Sequence, residues 1–242
     1  MVDEQPILWE NLTYEEISEL AKMTKIVILP IGSTEQHGPH LPLNVDAFIT
    51  YEVALAVSKK RQVPVMPLIK YGLSGTHKKF PGTLSLKPQT MLSMILDICK
   101  YVRLAGFRKI LILNGHVPNE WILKSAMDLL RERYDDLRIK VLSYYNCSEE
   151  VYRELVKDGG DHANFFETSL MLYLKPELVK IDRIRDEQPV LLPFDYRFDQ
   201  KTKTGVWGRP SLASREEGER LFNMIVTAIC KWVDLANQAD LP

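Results

Sequence analysis

The stretch Ile26-Val-Ile-Leu-Pro-Ile-Gly-Ser-Thr-Glu-Gln-His-Gly-Pro-His-Leu-Pro-Leu-Asn-Val-Asp-Ala-Phe-Ile-Thr50 decides how the rest of the chain is read. Ile26 to Ile31 is a short apolar run of the kind that forms a buried strand. It stops at Gly32, and the loop that follows carries Glu35, His37, His40 and Asp46. Open α/β sheets place ligand sites where strand ends give way to such loops. Glu35 and His37 stand two residues apart, so an extended segment turns both to one side. Carboxylate and imidazole without cysteine suit Zn, Mn or Fe at a site that also holds water and substrate. Asp46 could close that site from across the loop, and one carboxylate can bridge two metals. It also precedes the apolar run Ala47 to Val57, whose N-cap it could be.

The same pattern recurs downstream. Lys109-Ile-Leu-Ile-Leu-Asn114 reads as a strand covered on both faces, and it opens into the polar loop Asn114-Gly-His-Val-Pro-Asn-Glu120. A third polar loop, Gly159-Gly-Asp-His-Ala-Asn-Phe-Phe-Glu-Thr-Ser169, leads into a helix over Leu170–Leu174. Between these lie a first helix opened by Thr13 and Glu16 as a capping box, a helix from about Asp46 to Lys60 and a short strand over Val63–Ile69. Helical spacing continues over Pro88–Ala105 and from the 114–120 loop to about Tyr134. A strand is expected over Ile139–Tyr145, irregular chain over 176–213, and an amphipathic helix over about Ser214–Asn237. Strands alternating with helices imply an α/β fold, three layers with a mostly parallel central sheet covered on both faces. No shift in composition divides the chain, so residues 1–242 are expected to form one domain.

Composition narrows the function classes. The chain has 242 residues, 45% of them apolar and 26% charged, with a net charge of -1. That balance gives nucleic acid or an anionic membrane no purchase. Cys99, Cys147 and Cys230 are widely spaced and form no CxxC pair; Cys99 and Cys230, inside helical apolar patterns, are expected to be buried free thiols, and the odd count suits a reducing compartment. Met1 to Pro6 lacks the basic and apolar regions of a signal peptide, and no apolar run approaches the roughly 20 residues that span a bilayer. A cytoplasmic location is expected.

All five histidines, His37, His40, His77, His116 and His162, fall in loops rich in Gly and Pro. Loops at one edge of a parallel sheet converge, so these can meet over one cleft. Metals held by carboxylate and imidazole lower the pKa of bound water from about 15.7 towards about 7, supplying hydroxide and polarising a carbonyl. A leaving amine then needs a proton from a nearby His or Glu. No GxSxG nucleophile elbow, Walker A or GxGxxG is present, which leaves covalent catalysis and nucleotide cofactors without support.

Gly32-Ser-Thr-Glu35-Gln-His37-Gly-Pro-His-Leu-Pro with Asp46, then Phe80-Pro-Gly-Thr-Leu-Ser-Leu86, Asn114-Gly-His116, Glu167-Thr-Ser169 and Gly205-Val-Trp-Gly-Arg-Pro-Ser211 resemble, in order, the motifs of the creatininase (creatinine amidohydrolase) family. The resemblance implies a creatininase-like α/β/α fold, assembly into a homo-oligomer, often a hexamer, and two divalent metals, Zn, Mn or Fe. Glu35, Asp46 and His116 match the ligands of one metal. His37 and Asp46 match ligands of the second, with Glu167 to complete that site or act as base. His162 corresponds to the family's histidine near the substrate and is expected to donate the proton. His77 is expected to line the pocket, with Ser74, Asn114 and Trp207. Two departures are visible. Val117 and Pro118 follow His116 where members carry Gly-Gly or, two residues on, a glutamate ligand, and Ala163-Asn164-Phe165 follows His162 where many read Ala-Gly-Glu. Both imply a reshaped pocket. The implied reaction is hydrolysis of a C–N bond in a small cyclic amide or formamide. Alternatives are deformylation of a formamidopyrimidine nucleotide in flavin or deazaflavin synthesis, opening of a cyclic keto-sugar, and a non-catalytic metal-binding scaffold.

Overall fold

A computed structural model describes residues 5–190, 192–194 and 197–239. Residues 1–4, part of the stretch read for a signal segment, lie outside these, as do 191, 195 and 196 of the irregular stretch and 240–242. Three strands, β1 (Ile26–Ile31), β2 (Lys109–Asn114) and β3 (Arg138–Ser143), form a parallel sheet in the order β1-β2-β3. The register runs from Ile26 opposite Lys109 to Ile31 opposite Asn114, and from Lys109 opposite Arg138 to Asn114 opposite Ser143. All three strands therefore end level, and the loops that leave them emerge side by side.

Alternation along the strands assigns each side chain to one of two cores. Ile26, Ile28, Leu111, Leu113 and Leu142 pack with α2 (Val45–Arg61), α5 (Glu149–Leu155), α6 (Phe165–Leu174) and α8 (Arg215–Gln238). Val27, Leu29, Ile31, Ile110 and Ile112 pack with α1 (Tyr14–Met23), α3 (Pro88–Leu104) and α4 (Glu120–Arg133). The result is the three-layer α/β/α arrangement with a parallel centre.

Local chemistry sets the ends of these elements. The capping box of α1 is present: Glu16 N–H donates to Thr13 Oγ1 at 3.3 Å and Thr13 N–H to Glu16 Oε2 at 2.7 Å. Asn44 occupies the N-cap position of α2, so Asp46 lies within its first turn with the side chain free for other work. Val63–Ile69 does not form a strand. Pro64 and Pro67 lack N–H groups, and among the described residues the segment makes only isolated bridges, Val65 with Leu8 and Ile28 and Ile69 with Ile31. Helix α6 begins at Phe165, five residues earlier than Leu170, because Asn164 Oδ1 accepts from Phe166 N at 3.1 Å and Glu167 N at 3.2 Å. This brings Glu167 onto the helix. Ser148 caps α5 in the same way, accepting from Val151 N at 3.2 Å, and that helix had no clear signal in the pattern. The three cysteines are buried and free. Among the described residues no helix is long and apolar enough to cross a membrane.

Candidate metal centre

The site is assembled where β1 and β2 end, and two glycines make its geometry possible. A Cβ on Gly32 would sit 2.4 Å from Ala47 Cα, and one on Gly115 would sit 1.9 Å from Thr50 Oγ1 and 2.5 Å from Asp46 O. The loops leaving both strands thus lie directly on the first turn of α2. That contact brings His37, after Gly32, and His116, after Gly115, to opposite sides of Asp46.

Asp46 is the centre. Its Oδ1 lies 3.0 Å from His37 Nε2, and its Oδ2 lies 3.0 Å from His116 Nδ1. Ser33 Oγ donates to Oδ2 at 2.7 Å. Glu167 Oε1 approaches His37 Nε2 at 3.7 Å, and Glu35 Oε1 approaches His116 Nδ1 at 3.4 Å. Two clusters result, Glu35–Asp46–His116 and His37–Asp46–Glu167, sharing Asp46; Glu35, His37 and His162 form a third group on the same scale. All of these side chains are buried. Glu35 Oε2 is buried with no hydrogen-bond partner. An orphaned carboxylate oxygen among converging N and O donors is what a divalent cation would satisfy, so the residues fit the metals that the sequence implies.

The histidines are oriented by their second nitrogens. Carbonyl oxygens only accept, so His37 Nδ1–H donates to Glu35 O at 3.1 Å, His116 Nε2–H to Leu73 O at 3.2 Å and His162 Nε2–H to Gln36 O at 2.8 Å. Each ring then turns its other nitrogen towards the carboxylates; His162 Nδ1 stands 3.8 Å from Glu35 Oε1. Metal-binding histidines are held in this way, one N–H spent on a carbonyl. His77 is reversed: its Nδ1 accepts from Gln36 Nε2 at 2.9 Å, so the proton sits on Nε2, 3.7 Å from Glu35 Oε1.

In the metal-free protein, protons take up the charge. Burial opposes a cationic His116, but Glu35 and Asp46 outweigh it and raise its pKa to about 9. Burial likewise opposes charge on His37, yet Asp46 and Glu167 hold its pKa well above the usual value. Asp46 is pressed upwards by burial and pulled further down by His37 and His116, ending well below the carboxylate range. Burial dominates at Glu35, lifting it to about 7. His77 falls to about 3 and His162 well below its usual value, through burial first and the charge of neighbouring histidines second. Both rings are neutral at physiological pH.

Glu35, Asp46, His77, His116, His162 and Glu167 line a cavity of about 320 Å³, with His37 behind them. Val117, Pro118 and Tyr145 make part of its wall, with Phe198, Lys201 and Asp161. Phe198, on the short helix α7 (Phe198–Lys201), stacks on His77 with centroids 4.4 Å apart and meets His162 edge-on at 4.8 Å. Of the residues expected at the pocket, His77 lines it, whereas Ser74, Asn114 and Trp207 stand behind the wall. Ser74 sits beside Glu35 and favours its charge without a hydrogen bond of good geometry. Asn114 Nδ2 donates to His116 O at 2.8 Å and braces that loop. Trp207 pairs its backbone with His162, its N–H donating to His162 O at 2.8 Å. Ala163, next to His162, adopts a left-handed φ of 50°, and its N–H donates to Glu167 Oε2 at 2.6 Å. His40 stands apart, bonded to Thr168 Oγ1 at 2.9 Å. Sequence reasoning passed over Gln36, Phe198, Lys201 and Asp161. Only Gln36, inside the Glu-Gln-His motif, offered a signal.

Fold and site together define a metal-dependent hydrolase of the amidohydrolase class. The chain belongs to the creatininase family: the family model described as creatinine amidohydrolase matches residues 10–233. It is 34% identical over 241 residues to creatinine amidohydrolase of Pseudomonas putida, covering 90% of this chain and 93% of that protein. It is also 34% identical over 228 residues to a mycofactocin precursor peptide peptidase of Mycobacterium tuberculosis, covering 86% and 84%. Among solved structures, a mutant creatininase of Zn–Zn type aligns with a TM-score of 0.86 at 31% identity, over 95% of this chain and 98% of that one. A Mn form of creatininase aligns equally well.

Proposed function

We propose that this protein hydrolyses a non-peptide C–N bond in a small cyclic amide or formamide, using two divalent metals, Zn, Mn or Fe. The observation that carries the reading is Asp46, which presents one oxygen to His37 and the other to His116 and is shared by the clusters His37–Asp46–Glu167 and Glu35–Asp46–His116. Glu35, Asp46 and His116 would hold one metal; His37, Asp46 and Glu167 would hold the second. Glu167 thereby takes the place left open by Val117 and Pro118 after His116. Bound there, divalent cations supply Lewis acidity that polarises a carbonyl and acidifies water.

The chain's own residues do the rest. His162, neutral and anchored through Nε2–H, has Nδ1 free to take a proton from the attacking water and pass it to the leaving nitrogen. Gln36 links this ring to His77, its backbone O accepting from His162 Nε2–H and its Nε2 donating to His77 Nδ1, and Phe198 packs on both rings. Ala163 N–H fixes one oxygen of Glu167, leaving the other for the metal. We read the chain as a single domain, consistent with the span of the family match, and as a homo-oligomer of hexameric type. Trp121, 75% exposed, supports an assembly that covers apolar surface. Buried free thiols favour the cytoplasm.

The test is metal content per chain together with turnover of creatinine, a formamidopyrimidine nucleotide, a cyclic keto-sugar and a short peptide. Two metals and cleavage of the cyclic amide or the formamide support the reading. Turnover of the peptide alone overturns the substrate class, and a chain that takes up no Zn, Mn or Fe overturns the site.

A further inference from the structure

Backbone hydrogen bonds join the chain on the two sides of α7. Glu187 N–H donates to Gly208 O at 3.1 Å and Gly208 N–H to Glu187 O at 2.7 Å. The Glu187 carboxylate then accepts from Lys203 N at 2.6 Å and Thr204 N at 2.8 Å, and from the Thr204 hydroxyl. At the inner end, Thr202 N–H closes the turn on Phe198 O at 3.0 Å, and Phe198 is seated on His77. The arm is tied at its neck and at its tip, so the side chains it sends into the cavity are held in place.

One of them is Lys201, among the described residues the lone lysine or arginine lining the cavity. Its neighbour Arg197 is paired with Asp199 at 3.0 Å. Lys201 has no such partner: among the described residues it makes no ion pair within 4.0 Å and no side-chain hydrogen bond. Asp161, also lining the cavity, feels its charge from farther away. Two divalent metals exceed the charge of Glu35, Asp46 and Glu167 by one. A hydroxide formed from water would cancel that excess, and Asp161 offsets Lys201 only from beyond ion-pair distance, so the Lys201 ammonium is left to contact an anion that enters the cavity.

We propose that Lys201 binds a carboxylate of the substrate, remote from the bond cleaved, and that the substrate class is a small amide or formamide bearing one such carboxylate. This rests on the two-metal reading above. A single ammonium is a point charge suited to a monoanion. A phosphate monoester carries about -1.5 to -2 at neutral pH and would call for further cations, which the lining lacks.

The experiment is calorimetric binding to the Zn-loaded protein, its metal content measured first. The probes are straight dicarboxylates from malonate to adipate, each set against the monocarboxylate of equal length. One end can meet the metals and the other Lys201, so at the matching length the dicarboxylate should bind at least tenfold tighter. Lys201→Gln should collapse the pair of affinities onto each other, and Lys201→Arg should keep most of the difference. Equal affinities in the wild type, or a preference that survives Lys201→Gln, overturn the proposal, as does binding of neither probe by loaded protein. A protein that fails to load Zn instead overturns the metal-site reading, and the metal analysis separates the two failures.

Discussion

At the scale of single residues, the centre is a set of buried charges that need a cation to be at rest. Asp46→Ala should strip both metals and abolish activity, read by metal analysis and turnover on the same preparation. His162→Ala should lower kcat by about 10²–10⁴-fold, the range for a lost acid–base group, with both metals retained; loss of metal would make His162 a ligand. The pKa shifts also set a pH dependence. His116 at about 9, His37 well above its usual value and Glu35 at about 7 all bind protons more tightly in the folded metal-free chain than in the unfolded one. A native state that binds extra protons loses stability as pH rises. The apo-protein should therefore melt at progressively lower temperature as pH rises from about 7 to 9, whereas below about 6.5 the lowered pKa values of His77, His162 and His40 turn the slope the other way. Metal must displace those protons, so apparent affinity should rise over the same window. Calorimetry in two buffers of different ionisation enthalpy should show proton release on loading, and its absence would contradict the assignment of His37 and His116.

At the scale of elements, the site depends on how closely α2 lies on the strand ends. Gly115→Ala introduces a Cβ 1.9 Å from Thr50 Oγ1 and 2.5 Å from a backbone oxygen. Backbone atoms on one side leave little room to yield, so a loss of about 1–3 kcal/mol is expected in urea unfolding, the usual cost of overpacking. Metal content should fall with it, because the same shift parts His116 from Asp46. Asn164→Ala removes the cap of α6 and should cost about 1 kcal/mol. Since that cap starts the helix that carries Glu167, the weaker of the two metals should be lost first, measured by stepwise chelation.

At the scale of the molecule, the two cores grip one sheet from both sides, and the site sits at the edge where β1, β2 and β3 end level. Light scattering on the purified protein should return a mass near six times 27.9 kDa. A monomer at micromolar concentration would refute the hexamer and leave Trp121 in need of another partner.

The sequence by itself determined the parallel α/β fold, because apolar strands ending in Gly-bounded polar loops have few other ways to bury both faces. It also pointed to Glu35, His37, His116 and His162, in loops at the strand ends that a parallel sheet brings together, while Glu167 entered through the motifs that resemble the creatininase family. Only the tertiary structure decided how Asp46 divides its two oxygens, because that follows from the seating of α2 against Gly32 and Gly115, contacts distant along the chain. Tertiary structure also placed Glu167 on a helix through a cap that propensity reads as loop, and withheld strand pairing from Val63–Ile69, where prolines interrupt the ladder. Phe198 and Lys201 were illegible in the chain: they lie in an irregular stretch with no periodicity, and their place at the cavity follows from contacts distant along the chain, such as Phe198 on His77 and Glu187 with Lys203, Thr204 and Gly208.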